Sequence, residues 1–358
     1  MSKRQLLTDQ LRTKVTRGYY ALKALPSERQ LAAESGVAYM TARRAVQQLI
    51  EEGLVVRRSN GRLEINRVGD SEDRALQVAF LRPTSRPHHP DVYRVALERC
   101  MSSRKGSIHI VEFLHWDDPL VNDALVGYDG VFVIPSTEPI PANLAKRFAA
   151  LVRPLVVLGI DYSHFGVPSI THIPPIYAQS LLDHLEMVGC KRIACLNTQP
   201  HDFTIRDRID QWRIWAVVHG HKEILMDHPV ESYSSAFTQA YLVVAEAIKS
   251  GKFDADGLMC ITTPAAIGAM RALHEAGIVP GTEVAICSLD GEGVAPYLIP
   301  SLTAVEEPDP TKYIMYCLEW MAAGGGAWKG PLHMQPTEVP LVIRDSTTLF
   351  NRSRLEIV

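Results

Sequence analysis

From Leu76 onward, short apolar runs alternate with amphipathic segments of helix length. The apolar runs occupy residues 77–81, 108–113, 130–134, 155–158, 192–196, 257–261, 284–289 and 302–305. Between them, segments such as 91–104, 176–188, 208–219 and 263–276 are long enough to serve as crossover helices. This alternation predicts parallel sheets covered by helices on both faces. So many strands favour two smaller sheets over one very wide one. Open α/β sheets take ligands beyond the carboxyl ends of their strands. The residues just after the runs are therefore binding candidates: Thr84, Ser136, Asp161, Thr262, Thr263 and Asp290.

The chain has 358 residues, 46% apolar and 22% charged, which suits two or three domains with real cores. No run approaches the roughly 18 uninterrupted apolar residues of a membrane span, and MSKRQLLTDQ lacks a signal-peptide core. The cysteines are scattered without a Cys-x-x-Cys pair, as expected for reduced, buried thiols in a cytoplasm. The net charge of −3 conceals an uneven distribution. Residues 1–67 hold 13 Lys/Arg against 6 Asp/Glu, a net of +7, and the remainder is at −10. A basic block on an acidic body predicts a polyanion-binding module attached to a domain with another task.

Within that block, Leu7, Leu11 and Val15 repeat at helical spacing, and Gly18 supplies a stop. Ser27 and Gln30 have capping-box spacing at the start of a second helix, which Ser35-Gly36 ends. A third helix over 39–52 places Ala42, Val46, Leu49 and Ile50 on one side and Thr41, Arg43, Arg44 and Gln47 on the other. Strands over 54–57 and 62–65 follow, joined through Ser59-Asn60-Gly61, a strong hairpin signal. Three helices and a hairpin make a winged helix-turn-helix, whose third helix fits the major groove of DNA.

The segments LPSERQLAAESGV, TARRAVQQLIEEGLV and RRSNGR closely resemble the DNA-binding domain of GntR-type bacterial regulators. The resemblance implies that Arg29, Thr41 and Arg43 meet phosphates or base edges and that Asn60-Gly61 forms the wing tip. Arg44, beside Arg43 on the same helix, is expected to meet a phosphate. Ala38-Tyr39-Met40 departs from the polar residues usual in such regulators. Tyr39 and its neighbours are therefore expected to read thymine methyls or DNA shape.

The large domain resembles a second family. PLVVLGIDYSHFGVPSI, DHLEMVGCKRIACLN, RIDQWRIWAVVHG, AAIGAMRALHEAGIVPGTEVAICSLDG, PSLTAV and PTEVPLVIRDST follow the order of the LacI/GalR effector-binding domain. The implied fold class is a small α+β winged helix-turn-helix domain followed by an α/β body. That body would have two Rossmann-like subdomains of the type I periplasmic-binding-protein fold, joined by three crossing strands. The expected domains are 1–67, a linker at 68–75, and an effector-binding and dimerisation domain at 76–348. Its subdomains are expected at about 76–165 plus 302–322, and 166–300 plus 323–348.

The resemblance implies that Arg208, at a helix start, clamps the effector and that Asp290 accepts from its hydroxyls, a combination suited to sugars. Thr262-Thr263 stands where relatives carry Asn-Asp, and Ile173 where they carry Asp. Pro87-His88-His89-Pro90 replaces an Asn-Pro-aromatic loop, which leaves His89 and Thr84 as first-loop candidates. These losses of acceptors predict a less hydroxylated, modified or anionic ligand, or a pocket that binds nothing tightly. Tyr233 is either a stacking face or a core residue.

The pattern excludes several enzyme classes. His88-His89 and His219-Gly220-His221 lack the company of a metal site, and no Gly-x-Ser-x-Gly elbow or Walker loop is present. Gly324-Gly325-Gly326 reads as a turn, and Asp117-Asp118 as a helix start. The expected function is that of a cytoplasmic, homodimeric, ligand-responsive transcriptional regulator without cofactor, metal or membrane contact. Its partners would be double-stranded operator DNA and a sugar-like effector. It resembles arabinose-responsive repressors in layout, although the lost acceptors argue against arabinose itself. The alternative is a DNA-binding regulator whose large domain only dimerises.

Overall fold

The computed structural model describes residues 3–16, 20, 25–65, 75–84, 92–104, 106–136, 138, 140–151, 154–231, 234–348 and 350. Helices α1 (Lys3–Thr16), α2 (Glu28–Glu34) and α3 (Tyr39–Glu51) precede an antiparallel hairpin of β1 (Val55–Arg57) and β2 (Leu63–Ile65). The repeat Leu7, Leu11, Val15 is buried against Ala42, Val46 and Leu49 of α3. The Ser27 hydroxyl accepts from Gln30 N, and the Gln30 side chain accepts from Ser27 N, so both halves of the capping box form. In the hairpin loop, Gly61 N donates to Arg58 O at 2.8 Å, and Gly61 adopts φ 80°. That left-handed conformation is open to glycine at no steric cost.

The body contains two six-stranded sheets. The first comprises β3 (Leu76–Pro83), β4 (Gly106–Phe113), β5 (Gly130–Val133), β6 (Leu155–Leu158), β7 (Ser169–Ile170) and β13 (His333–Met334), in the order β13-β7-β6-β5-β3-β4. It carries α4 (Val92–Ser102), α5 (Pro119–Gly127), α6 (Ala142–Ala150) and α11 (Thr311–Ala322). The second comprises β8 (Ile193–Asn197), β9 (Ile224–Asp227), β10 (Gly257–Cys260), β11 (Ala285–Ser288), β12 (Thr303–Val305) and β14 (Leu341–Val342), in the order β14-β12-β11-β10-β8-β9. It carries α7 (Tyr177–Met187), α8 (Phe203–Val218), α9 (Ala236–Lys249) and α10 (Thr263–Glu275). Every pairing in the body is parallel except β12 with β14.

Strands β5, β6, β8, β10 and β11 are buried along their whole length because helices cover both faces. All six cysteines are free and buried. Strand β9 escapes the sequence reading because it is a half-buried edge whose short apolar run, Ile224-Leu225-Met226, stands between charged residues. The chain crosses between the sheets after β7, after β12 and after β13. This differs from the expected subdomain limits. Residues 303–305 belong to the second sheet, whereas 169–170 and 333–334 belong to the first. A two-residue strand carries no periodicity, so its sheet is set by pairing alone.

Helices α9 and α10 meet backbone to backbone at Gly268. A Cβ there would lie 2.4 Å from Phe237 O and 2.7 Å from Ala240 Cβ. Alanine would gain up to about 1 kcal/mol of helix propensity, but overpacking costs about 1–3 kcal/mol. Gly268→Ala is therefore expected to destabilise, read as a lower urea midpoint with an unchanged slope. A raised midpoint would show that the helices separate freely.

Candidate functional site

Two regions gather the functional candidates. In the winged module, the outer side of α3 exposes Tyr39, Met40, Arg43, Arg44 and Gln47, with Thr41 half-buried. Arg29, Asn60 and Gly61 are also exposed. Several other arginines are neutralised internally. Arg12 grips Glu52 through two bonds of 2.9 and 2.7 Å, which ties α1 to α3. That bond holds the Glu52 carboxyl below its ordinary range. Arg58 pairs with Glu64 at 2.8 Å, and Arg57 pairs with the buried Glu28. Arg29, Arg43 and Arg44 form no ion pair among the described residues, so their charge is available to a polyanion.

The Tyr39 hydroxyl donates to Glu28 Oε2 at 3.0 Å, so its polar end is engaged with α2. Its ring and Met40 remain as apolar surface at the start of α3. Module and body are linked by a hydrogen bond in which Gln77 Nε2 on β3 donates to Val15 O near the end of α1, at 2.9 Å.

The second region is a cleft of about 720 Å³ at the carboxyl ends of strands from both sheets. In the second sheet, β8 lies between β9 and β10, so the chain leaves it toward opposite sides. Such a switch point opens a crevice between strand ends. Gln199, after β8, donates to Thr262 Oγ1, after β10, at 3.4 Å. Loops after β5 and β6 supply Ser136 and Tyr162 from the other sheet, and His172 and Glu307 come from the crossing segments. His164, after β6, meets Phe203, at the start of α8, ring to ring at 4.6 Å. An aromatic contact therefore bridges the two subdomains.

Arg208 and Asp290 meet in this cleft, with Nη1 3.4 Å from Oδ2 and both side chains more than nine-tenths buried. Arg208 Nη1 also donates to Ile261 O at 2.9 Å, while Nε has no hydrogen-bond partner. Arg208 is not at a helix start as expected. Asp202 caps α8 through Ile205 N, which places Arg208 in the second turn and on the inner side. Asp290 Oδ1 accepts from Thr263 N at 2.7 Å, and the Thr263 hydroxyl donates to Asp290 O at 2.5 Å. Thr263 is consequently buried beneath the loop and does not line the cleft, whereas Thr262 does.

Other candidates fall elsewhere. Thr84 is exposed, outside the cleft lining, and extends the ladder by donating to Phe113 O. Asp161 also lies outside the lining, facing His333 Nδ1 at 3.4 Å and accepting from Ser163 N. Ile173 is buried in the apolar core. His89, Tyr233, Gly18 and residues 68–74 of the expected linker lie outside the described residues.

Residues 4–65 match the family described as bacterial regulatory proteins, gntR family, and residues 182–347 match the periplasmic binding protein-like domain. The chain joins a GntR-family regulatory domain to a periplasmic binding protein-like domain. The GalR transcriptional regulator of Streptococcus thermophilus is 25% identical over 66% of this chain and 72% of its own length. The ribose operon repressor of Halalkalibacterium halodurans is 26% identical over 61% of this chain and 62% of its own. Among solved structures, CcpA of Lactococcus lactis has a TM-score of 0.65 at 15% identity, covering 77% of this chain and all of that one. A LacI-family regulator from Enterococcus faecium with bound ribose has a TM-score of 0.63 at 17% identity, covering 76% and 98%. These likenesses establish the fold of the periplasmic binding protein-like body.

Glu307 is the principal cleft residue that sequence reasoning missed. It follows strand β12, so the rule that singled out Asp290 after its strand would have found it in Val305-Glu306-Glu307. Its side chain is nine-tenths buried, with Oε1 4.0 Å from His172 Nε2, whose ring partner Nδ1 lies 2.9 Å from the Tyr93 hydroxyl. Burial, then the Asp290 charge, pushes the Glu307 carboxyl up to about 8. Glu292 also lines the cleft, with φ 44°, a left-handed conformation unfavourable for a side chain of this kind.

A carboxyl raised in the folded state contributes stability that is lost as pH rises from its unfolded value, about 4.5, through about 8. Glu307→Gln should therefore gain melting temperature relative to the parent as pH increases from 5 to 8.5. Parallel curves across that range would show that Glu307 ionises normally.

Proposed function

We propose that this protein is a bacterial transcriptional repressor that senses a sugar-like small molecule. The observation that carries the sensing role is the cleft between the two sheets, with Arg208 and Asp290 at its floor. A guanidinium and a carboxylate side by side donate to and accept from neighbouring hydroxyls, which is the recognition a polyol needs. The unpartnered Arg208 Nε supports a cleft built to receive an acceptor atom. The GalR and ribose-repressor likenesses, and the ribose held by a structural neighbour, support the same ligand class.

Operator DNA is bound through the outer side of α3, with Arg43 toward base edges and Arg29 and Arg44 toward phosphates. Thr41 and the Tyr39–Met40 surface complete the helix contact, and Asn60-Gly61 places the wing on the neighbouring backbone. Two copies would present paired modules to half-sites about one helical turn apart, or a multiple of it. The exposed apolar side chains Ile110 and Leu114 beside edge strand β4, and Val217 and Val218 on α8, support association of two bodies. Among the described residues no helix is long and apolar enough to cross a membrane, and no metal-binding cluster is present. We assign the protein to the cytoplasm, where operator DNA lies, in the regulatory rather than catalytic role of the regulators it resembles.

Arg43→Ala should cost about 1–3 kcal/mol of operator affinity with a relaxed preference at one base pair. An unchanged titration by fluorescence anisotropy would remove Arg43 from the contacts. For the cleft, a panel of sugars, sugar acids and nucleosides should contain members that raise the melting temperature. That shift should vanish in Arg208→Ala, whose own ligand-free transition reports its folding. No response across the panel would favour a body that only dimerises.

A further inference from the structure

The sequence reading expected lost acceptors and admitted an anionic ligand. The cleft has the opposite character. Its described lining contains six carboxylate residues, Glu138, Asp202, Glu231, Asp290, Glu292 and Glu307, against the arginines Arg206 and Arg208. Arg208 is already matched by Asp290 at 3.4 Å, and Arg206 is exposed on α8. An anion entering here would face a field of its own sign.

Glu307, its side chain nine-tenths buried, has no cationic side chain in hydrogen-bonding contact among the described residues; the ring nitrogen His172 Nε2 is 4.0 Å away. The same cavity is lined by the aromatic side chains Tyr162, Phe165 and Phe203. Aromatic faces attract cations as carboxylates do. Arg208 also lines the cavity, and its buried Nε has no hydrogen-bond partner.

From this juxtaposition we infer that the effector is an amino-polyol, a sugar-like molecule carrying a protonated amine. Its hydroxyls meet Arg208 and Asp290, and its ammonium meets Glu307 in the cavity that the aromatic side chains line. This rests on the sugar-sensing reading above and narrows its ligand class. It also explains how the cleft can meet a cation although Ile173 and Thr262 replace acceptors, because Glu292, and Glu307 once it gives up its proton, supply negative charge from other elements. In the empty cleft, Glu307 faces Asp290, Glu292, Arg208 and His172, and it holds its proton near neutrality. An arriving ammonium stabilises the carboxylate, so Glu307 releases its proton to solvent as the ion pair forms.

The test uses the full chain at pH 7 with matched pairs: glucose and glucosamine, galactose and galactosamine, mannose and mannosamine, sorbitol and 1-amino-1-deoxysorbitol. Titration calorimetry in two buffers of different ionisation enthalpy reads both affinity and protons exchanged. The expected result is at least one amine bound about tenfold or more tightly than its neutral partner, with net proton release. In Glu307→Gln that preference and the proton release should both disappear. The proton count on the native chain stands even if the variant fails to fold. Neutral sugars bound as tightly as every amine would overturn the inference while leaving sugar sensing intact. An amine preference that persists in a folded Glu307→Gln, or that comes without proton release, would remove Glu307 from the recognition. No binding by any member would overturn the inference together with the sugar-sensing reading.

Discussion

The burial of Arg208 fixes the geometry of the cleft. A guanidinium removed from water is tolerated only with an opposite charge and acceptors around it. Here Ile261 O and Asp290 supply them, from the ends of neighbouring strands β10 and β11. Asp290 has a second task, because its other oxygen takes the Thr263 N–H at the start of α10, one of the donors a helix leaves unpaired. One carboxylate thus joins α8, β10, β11 and α10. Removing either charge from such a pair costs about 3–5 kcal/mol, because the remaining ion is left uncompensated. The ligand-reading groups are held where they are by the fold's own need to neutralise them.

Much of this was legible in the residues. The apolar runs at 130–134, 155–158 and 257–261 mark strands because covered parallel strands need no polar face. Ser27 with Gln30 marks a helix start because the two side chains satisfy each other's backbone. The strands that escaped are those whose identity depends on partners: β9 is a half-buried edge, and β7, β13 and β14 have two residues each. The cleft lining was legible where a residue follows a fully buried central strand, as at Asp290 and Thr262. Thr263 and Thr84 misled because position after a strand does not fix side-chain direction. Thr263 turns under the loop to hold Asp290, and Thr84 continues the sheet. Arg208 lies in the cleft lining but in the second turn of its helix, since Asp202 starts the helix earlier than the apolar pattern suggests.

The charge asymmetry has a structural counterpart at both ends of the molecule. In the module, internal pairs consume Arg12, Arg57 and Arg58 and leave Arg29, Arg43 and Arg44 for the polyanion. In the body, part of the negative excess is concentrated in the cleft lining. The crossing segments carry His172 and Glu307, so two residues of the cleft lining lie on the chain that joins the two sheets. The bond from Gln77 to Val15 then connects the first sheet to the last turn of α1.

The central claim is that occupancy of the cleft and grip on DNA are linked. The most direct measurement is the operator affinity of the full chain, with and without a saturating amount of the compound that stabilises it most. A coupling of about 1–3 kcal/mol predicts a change of roughly 5–150-fold. Superimposable binding curves with the cleft demonstrably filled would contradict the account.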